Sequence, residues 1–269
     1  MHILNQIPSR CKLRRIFKAA LWKDGRPACP RCGSKSVRSV SSEERWRCRN
    51  CRKPFSLKSV SWMKDAKLSL ETIWLLLWFW QNSVPLKQAS LIVGVSYPTV
   101  FSWYAKFREH VPKERLECVL EGRVATDELY TKGHCVLGAK EKGTRKISIR
   151  VLPVQYAQRQ HVVEFLVRNV KAETELSTDG SALYKGIGNW HRLKHEYEIH
   201  KKFEFSKTAE IEGVWGVFRT FIRRMYHHVT EYRLEEIANE FVLRFRKDEI
   251  FENPQRYLEI CLDPGPFAL

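Results

Sequence analysis

Apolar residues recur at helical intervals over residues 9–22, where Ser9 stands as an N-cap and Asp24, Gly25 and Pro27 stop the helix. Residues 68–82 are apolar on nearly every side, capped by Ser69 with Glu71 in the first turn and broken at Pro85, which predicts a buried helix. Their unbroken run, Ile73 to Trp80, is eight residues, whereas crossing lipid takes about 20. Residues 86–104 then give a short helix containing the small Ala89, a turn at Gly94, an apolar Val95, a Ser96 cap with Pro98 in the first turn, and a second helix. That order is the helix-turn-helix pattern. Past a linker at 112–121 the period shortens to two. Strands are predicted at 123–129, 135–139 and 146–154, the last alternating Ile147, Ile149 and Val151. A helix at 158–170, a strand at 175–178, a weaker strand signal at 191–199 and helix from Ala209 onward complete the pattern.

Three strands, a helix, a strand and further helix make an α/β order compatible with a ribonuclease H-like sheet. At 269 residues and 43% hydrophobic content, the chain can bury a sizeable core beside smaller modules. Charge divides it unevenly. Of the net +17, residues 1–64 carry 17 Lys/Arg against 3 Asp/Glu, which leaves only +3 for everything after. Such clustering suits a polyanion, because each cation set at a phosphate releases condensed counterions. The expected partner is double-stranded DNA. On a helix-turn-helix, Tyr97 and Thr99 at the start of the second helix would face base edges, and Lys106 and Arg108 further along would meet phosphate.

Within the basic segment lie two Cys-x-x-Cys pairs, Cys29 with Cys32 and Cys48 with Cys51. The spacing lets two knuckle turns present four thiolates tetrahedrally to one structural Zn2+. Gly33 and Ser34, and Arg52 to Pro54, supply the turns, and the residues between the pairs read as short strands, so the module has the form of a zinc ribbon. Cys11, Cys118, Cys135 and Cys261 are scattered and form no disulfide framework. The absence of a signal peptide or membrane segment leads us to expect a cytoplasmic, nucleoid-associated protein if prokaryotic and a nuclear one if eukaryotic.

Three acids stand out. Asp127 lies in the first strand of the α/β region, Asp179 ends the fourth, and Glu212 opens the helix that follows. First and fourth strands are neighbours on a ribonuclease H-like sheet, so the carboxylates could converge into a hard oxygen site for two Mg2+ or Mn2+ ions. Any one of them alone reads better as a strand-end or helix-cap carboxylate; their joint placement is what matters. Arg219, two turns after Glu212, falls on nearly the same face and could contact phosphate or simply pair on the surface.

Taken together, the features resemble the Merlin-like and ISXO-like insertion-sequence transposases. Carrying the resemblance are Cys29 to Gly33, the Cys48 pair with Phe55 and Ser56, the turn from Val93 to Ser96, Asp127 with Glu128, Thr178 with Asp179, Ile211 to Trp215, Tyr226 to Val229, and Glu240 to Phe245. It implies that Asp127, Asp179 and Glu212 are the metal-binding DDE triad, with Arg219 in the place of an auxiliary basic residue. It also implies that the N-terminal modules bind terminal inverted repeats, and that DNA is cut and joined by a dimer or higher assembly. Two positions depart from the family pattern: Ala209 stands where Asn is common three residues before the Glu, and the loop after the first acid is reduced to Thr131, Lys132 and Gly133. A catalytically inactive or host-adopted DNA-binding protein is the alternative. The expected layout is a basic helix at 1–26, zinc ribbon at 27–60, helix-turn-helix at 66–111, catalytic domain at 122–250 and a tail at 251–269.

Overall fold

The computed structural model describes residues 7–40, 44–131, 133–198, 208–227 and 229–262. Lys132, Ile199 and His228, which enter the expectations above, lie outside them. The chain divides into two compact units, one formed by 1–112 with 249–269 and the other by 113–248.

In the first unit, α1 (Arg10–Leu21) begins where Ser9 accepts the Lys12 N–H and buries Leu13, Phe17 and Leu21, one residue per turn. A three-stranded antiparallel sheet follows, ordered β1 (Val37–Val40), β2 (Arg45–Cys48), β3 (Pro54–Phe55). Trp46 of β2 stacks on Phe55 at 5.8 Å and meets the edge of Trp22 at 5.6 Å, which fastens the end of α1 to the sheet. The helix α2 (Leu70–Gln81) is capped by Ser69 and buries Ile73, Leu76, Leu77 and Trp80 among others. Its all-round apolar surface is that of a helix enclosed by neighbours. The helices α3 (Leu86–Val93) and α4 (Tyr97–Glu109) pack on each other across Gly94, whose φ of 72° is left-handed and whose N–H closes on Ser90.

The second unit is built on a five-stranded sheet. Its strands are β4 (Arg123–Thr131), β5 (His134–Glu141), β6 (Ile147–Val151), β7 (Glu175–Asp179) and β8 (Lys194–Glu198), in the order β6-β5-β4-β7-β8. The first three are antiparallel; β7 and β8 run parallel to β4. Between β6 and β8 lie α5 (Arg159–Asn169) and the one-turn α6 (Gly188–His191), and after β8 come α7 (Ala209–Met225) and α8 (Leu234–Arg246). On one face, Val124, Leu137, Ala139 and Leu176 pack with Val162, Phe165 and Leu166 of α5. The other face carries α7 against β4 and β5 and α8 against β6, with Phe218 and Phe241 in ring contact at 4.9 Å. The strand expected over 146–154 stops at Val151; beyond it the Leu152 N–H still donates to the Cys135 carbonyl and the Cys135 N–H to the Val154 carbonyl, with Pro153 between them on the edge strand.

Within the tail expected over 251–269, residues 254–261 form a helix, and 263–269 lie outside the described residues. The helix α9 (Pro254–Cys261) starts on an Asn253 cap with proline in its first turn and returns the chain to the first unit, packing on α1 and α2. The Tyr257 hydroxyl donates to the Phe107 carbonyl at 2.8 Å and the Trp62 indole to the Cys261 carbonyl at 3.2 Å. Tyr257 and Phe107 both touch the ring of Trp80, so the first unit is closed by residues from both ends of the chain.

Candidate functional site

The four cysteines of the ribbon converge. Sγ of Cys29 lies 3.6 Å from that of Cys51, and Cys32 lies 3.6 Å from Cys48. Tetrahedral thiolates about 2.3 Å from a central zinc would stand about 3.8 Å apart, so the spacing fits that ion. Both knuckles are left-handed just after their second cysteine, at Gly33 (φ 69°) and at Arg52 (φ 58°). The backbone of the second knuckle turns inward: the N–H groups of Cys51 and Asn50 hold the Cys48 thiol down to about 6. Burial pushes Cys29 up to about 11 against the N–H groups of Arg31 and Cys32. Among the described residues these thiols are the one group of three or more metal-ligating side chains whose donor atoms all lie within 4.8 Å of each other.

On the large sheet, β4 pairs Asp127 with Gly138 of β5, and Ala125 with Ser177 of β7. Continuing the latter register by two residues sets Asp127 opposite Asp179. The Trp215 indole of α7 donates to Oδ2 of Asp127 at 3.0 Å. It can do so because residue 138 is glycine: a Cβ there would come within 2.3 Å of Trp215 Cη2. Asp127 is pushed up to about 6, chiefly by burial, with the charges of Asp179 and Glu212 adding to the rise and the Glu128 N–H and Trp215 indole opposing it. The three acids are thus within electrostatic reach, although their oxygens are not gathered as tightly as the thiols.

Asp179 is half-buried and accepts the Ser181 N–H at 3.1 Å. Glu212 is exposed in the first turn of α7 and accepts the Thr208 hydroxyl at 2.9 Å; Arg219 is exposed two turns on. Glu128, on the opposite face from Asp127, is also pushed up to about 6 by burial and accepts the Tyr184 hydroxyl at 2.5 Å. The start of α7 is tied to the sheet by Glu210, which pairs with the buried Lys140 and accepts the Gly143 N–H.

Sequence spacing gives no role to Trp215, Gly138, Glu210 or Tyr184. A glycine inside an otherwise apolar strand is the signal that another group approaches there, and Trp215, three residues after Glu212, shares its side of the helix. In the α3–α4 pair, Tyr97 is exposed and the Thr99 hydroxyl lies 2.8 Å from that of Ser96 within the cap. Lys106 sits over the Trp103 ring at 5.2 Å. Arg108, placed by spacing alone on the outer surface, is only 8% exposed: it follows Phe107 into the interior, and its guanidinium is not presented to a phosphate.

This combination of a four-thiol ribbon and an acid-bearing sheet is that of a zinc-ribbon transposase. Residues 119–246 match the ISXO2-like transposase domain and residues 11–54 the transposase zinc-ribbon domain. The chain thus carries both domains of that transposase family, and the matched transposase domain implies the ribonuclease H-like fold to which the strand order conforms. No curated protein matches it. No helix among the described residues is long and apolar enough to cross a membrane.

Proposed function

We propose that the protein binds the terminal inverted repeats of an insertion sequence and catalyses metal-dependent DNA cleavage and strand transfer. The observation that carries this reading is the half-buried Asp127, whose carboxyl is pushed up by burial and by the charges of Asp179 and Glu212, in a transposase domain. A carboxylate raised by burial and neighbouring negative charge is one that divalent cations relieve, and all-oxygen donors suit Mg2+ or Mn2+.

In this reading Asp127, Asp179 and Glu212 hold the ions. Bound there, two such ions supply activation of a water or 3′-hydroxyl and stabilisation of the leaving oxygen. Trp215 fixes the orientation of the Asp127 carboxylate through Oδ2, and its ring covers Gly138 and dries that flank of the site. Glu210, held by Lys140, fixes the first turn of α7 and with it the direction of Glu212. Arg219 contacts a substrate phosphate from the exposed side of the helix.

The first unit supplies recognition. Its cationic ribbon follows the phosphate backbone, and α3–α4 act as a helix-turn-helix in which Tyr97 and Thr99 meet base edges and Lys106 meets phosphate. Two chains acting together would bring both element ends to one event. The test is strand cleavage and joining on labelled duplex ends with Mg2+ or Mn2+. Joined products that disappear in Asp127→Ala and Asp179→Ala, with duplex binding retained, are expected. Specific binding with no cutting by any form would instead mark an inactive or host-adopted DNA-binding protein.

A further inference from the structure

At the end of β7 the second unit contains a cavity of about 340 Å3, lined by Asp179, Ser181, Tyr184, Lys185, His195 and Tyr197 among others. It lies within the roughly 300–1,000 Å3 of small-ligand sites, and it opens at the C-terminal ends of parallel strands, where α/β sheets receive ligands. Register explains its composition. Strand β8 sets His195 beside Leu176 and Tyr197 beside Thr178, so both rings project from the face opposite the Asp127 side chain. Asp179, at the strand end, is a wall common to this cavity and to the carboxylate site.

Most of the lining is held in place. The Tyr184 hydroxyl is fixed by Glu128 at 2.5 Å, His195 Nε2 lies 2.9 Å from the Thr178 hydroxyl, and the loop is turned by the Ser181 N–H on Asp179. Two groups are held differently. The Tyr197 ring is 58% exposed, with the His195 ring 6.2 Å away, and Lys185 is exposed, its ammonium in no hydrogen bond or ion pair among the described residues. A bare aromatic face and an uncommitted ammonium at the mouth of a formed cavity are the two elements that bind single-stranded nucleic acid, stacking for the base and charge for the phosphate.

We infer that this cavity binds one unpaired nucleotide of the DNA strand being cut, its base stacked on Tyr197 and its phosphate on Lys185. The nucleotide must be unpaired, since a base inside a duplex offers neither face to a ring. It is one flanking the scissile phosphate, because Asp179 forms a wall of both sites. This placement rests on the proposed strand-cutting function; the nucleotide site itself can be tested apart from it.

The probe is the trinucleotide dT-2-aminopurine-dT, too short to follow the basic surface of the first unit, titrated into the full chain while the quenching of 2-aminopurine fluorescence is read. Saturable quenching by the wild type, weakened roughly 5- to 150-fold in Tyr197→Ala, retained in Tyr197→Phe and weakened in Lys185→Ala, is the expected result. Tyr156→Ala, an exposed ring that does not line the cavity, should quench like the wild type. Absence of saturable quenching, or equal quenching by wild type and Tyr197→Ala, overturns the inference. Strand cutting is measured on the same proteins and on Asp127→Ala. Tyr197-dependent quenching with no Asp127-dependent cutting leaves the nucleotide site standing and removes the transposase chemistry; cutting that depends on Asp127 with no role for Tyr197 does the reverse.

Discussion

Asp127 is the residue on which the proposed chemistry turns, and its environment makes a signed prediction. Its carboxyl is raised from 3.8 to about 6 in the folded protein, so between those values the native state binds more protons than the unfolded state. Stability from this group is therefore highest below about pH 4 and is lost as pH rises through 6. Asp127→Asn removes the charge and should stabilise the metal-free second unit at pH 8 by on the order of 1–3 kcal/mol. That gain should vanish toward pH 4, as read by thermal melts across the range. Mg2+ should raise the melting temperature of the wild type and not of the variant. The indole is a second lever: Trp215→Phe keeps an aromatic ring against Gly138 but removes the donor to Oδ2. A hydrogen bond to a charged group contributes about 1.5–3 kcal/mol, so cleavage should fall roughly 10- to 150-fold, with the acid limb of its pH profile moved upward. An unchanged pH profile would reduce Trp215 to packing. Asp127 and Asp179 are visible in the sequence because each interrupts an apolar strand, and Glu212 because it opens a helix. Trp215 is not, since an indole in an amphipathic helix reads as core until the glycine facing it is known.

Short elements owe their existence to caps and turns, and these are the parts a sequence displays best. Ser9, Ser69 and Ser96 each cap the helix that their position announces. Replacing such a cap by alanine costs about 1 kcal/mol, so Ser96→Ala should lower both the melting temperature of the first unit and its affinity for duplex DNA, because it frays the turn that presents Tyr97. Register, too, was accessible: adjacency of the first and fourth strands follows from the α/β order, and it brings Asp127 and Asp179 side by side. The phosphate contact expected of Arg108 overlooks the apolar positions around it, Tyr104 and Phe107, which already define a buried face. The ribbon depends on its ion more than on its strands. Two to four residues per strand bury little area, and structural zinc supplies folding free energy outright. Chelation, or Cys29→Ser, should remove one zinc per chain and unfold residues 27–57, seen as loss of the Trp46–Phe55 stacking in near-ultraviolet circular dichroism. Stacking preserved without zinc would show that Trp22, Trp46 and Phe55 suffice.

At the scale of the molecule, the chain leaves the first unit at residue 112 and returns to it at 249, so the second unit is an insertion in the first. The Arg115–Asp248 ion pair, 2.9 Å long and half-buried, joins the two points where the inserted unit begins and ends. Arg246 reinforces them by donating to the carbonyls of Arg115 and Leu116. Eight residues with four buried side chains give too faint a periodicity to separate α9 from a tail, although Asn253 and Pro254 mark its start. Its burial, however, is complete: Tyr257 and Leu258 are 0% and 1% exposed. At about 1.5–3 kcal/mol for each such side chain, and with the partners Trp80 and Phe107 uncovered, losing α9 removes a large part of the roughly 5–15 kcal/mol that holds a domain folded. A chain ending at Asp248 keeps every zinc ligand and all three acids, yet should lose the cooperative unfolding transition of the first unit and its duplex binding, while the second unit still melts. Tyr257→Ala should lower the first transition alone. Full DNA affinity in the shortened protein would show that the N-terminal segments fold without the C-terminal helix, and that the insertion architecture is not needed for recognition.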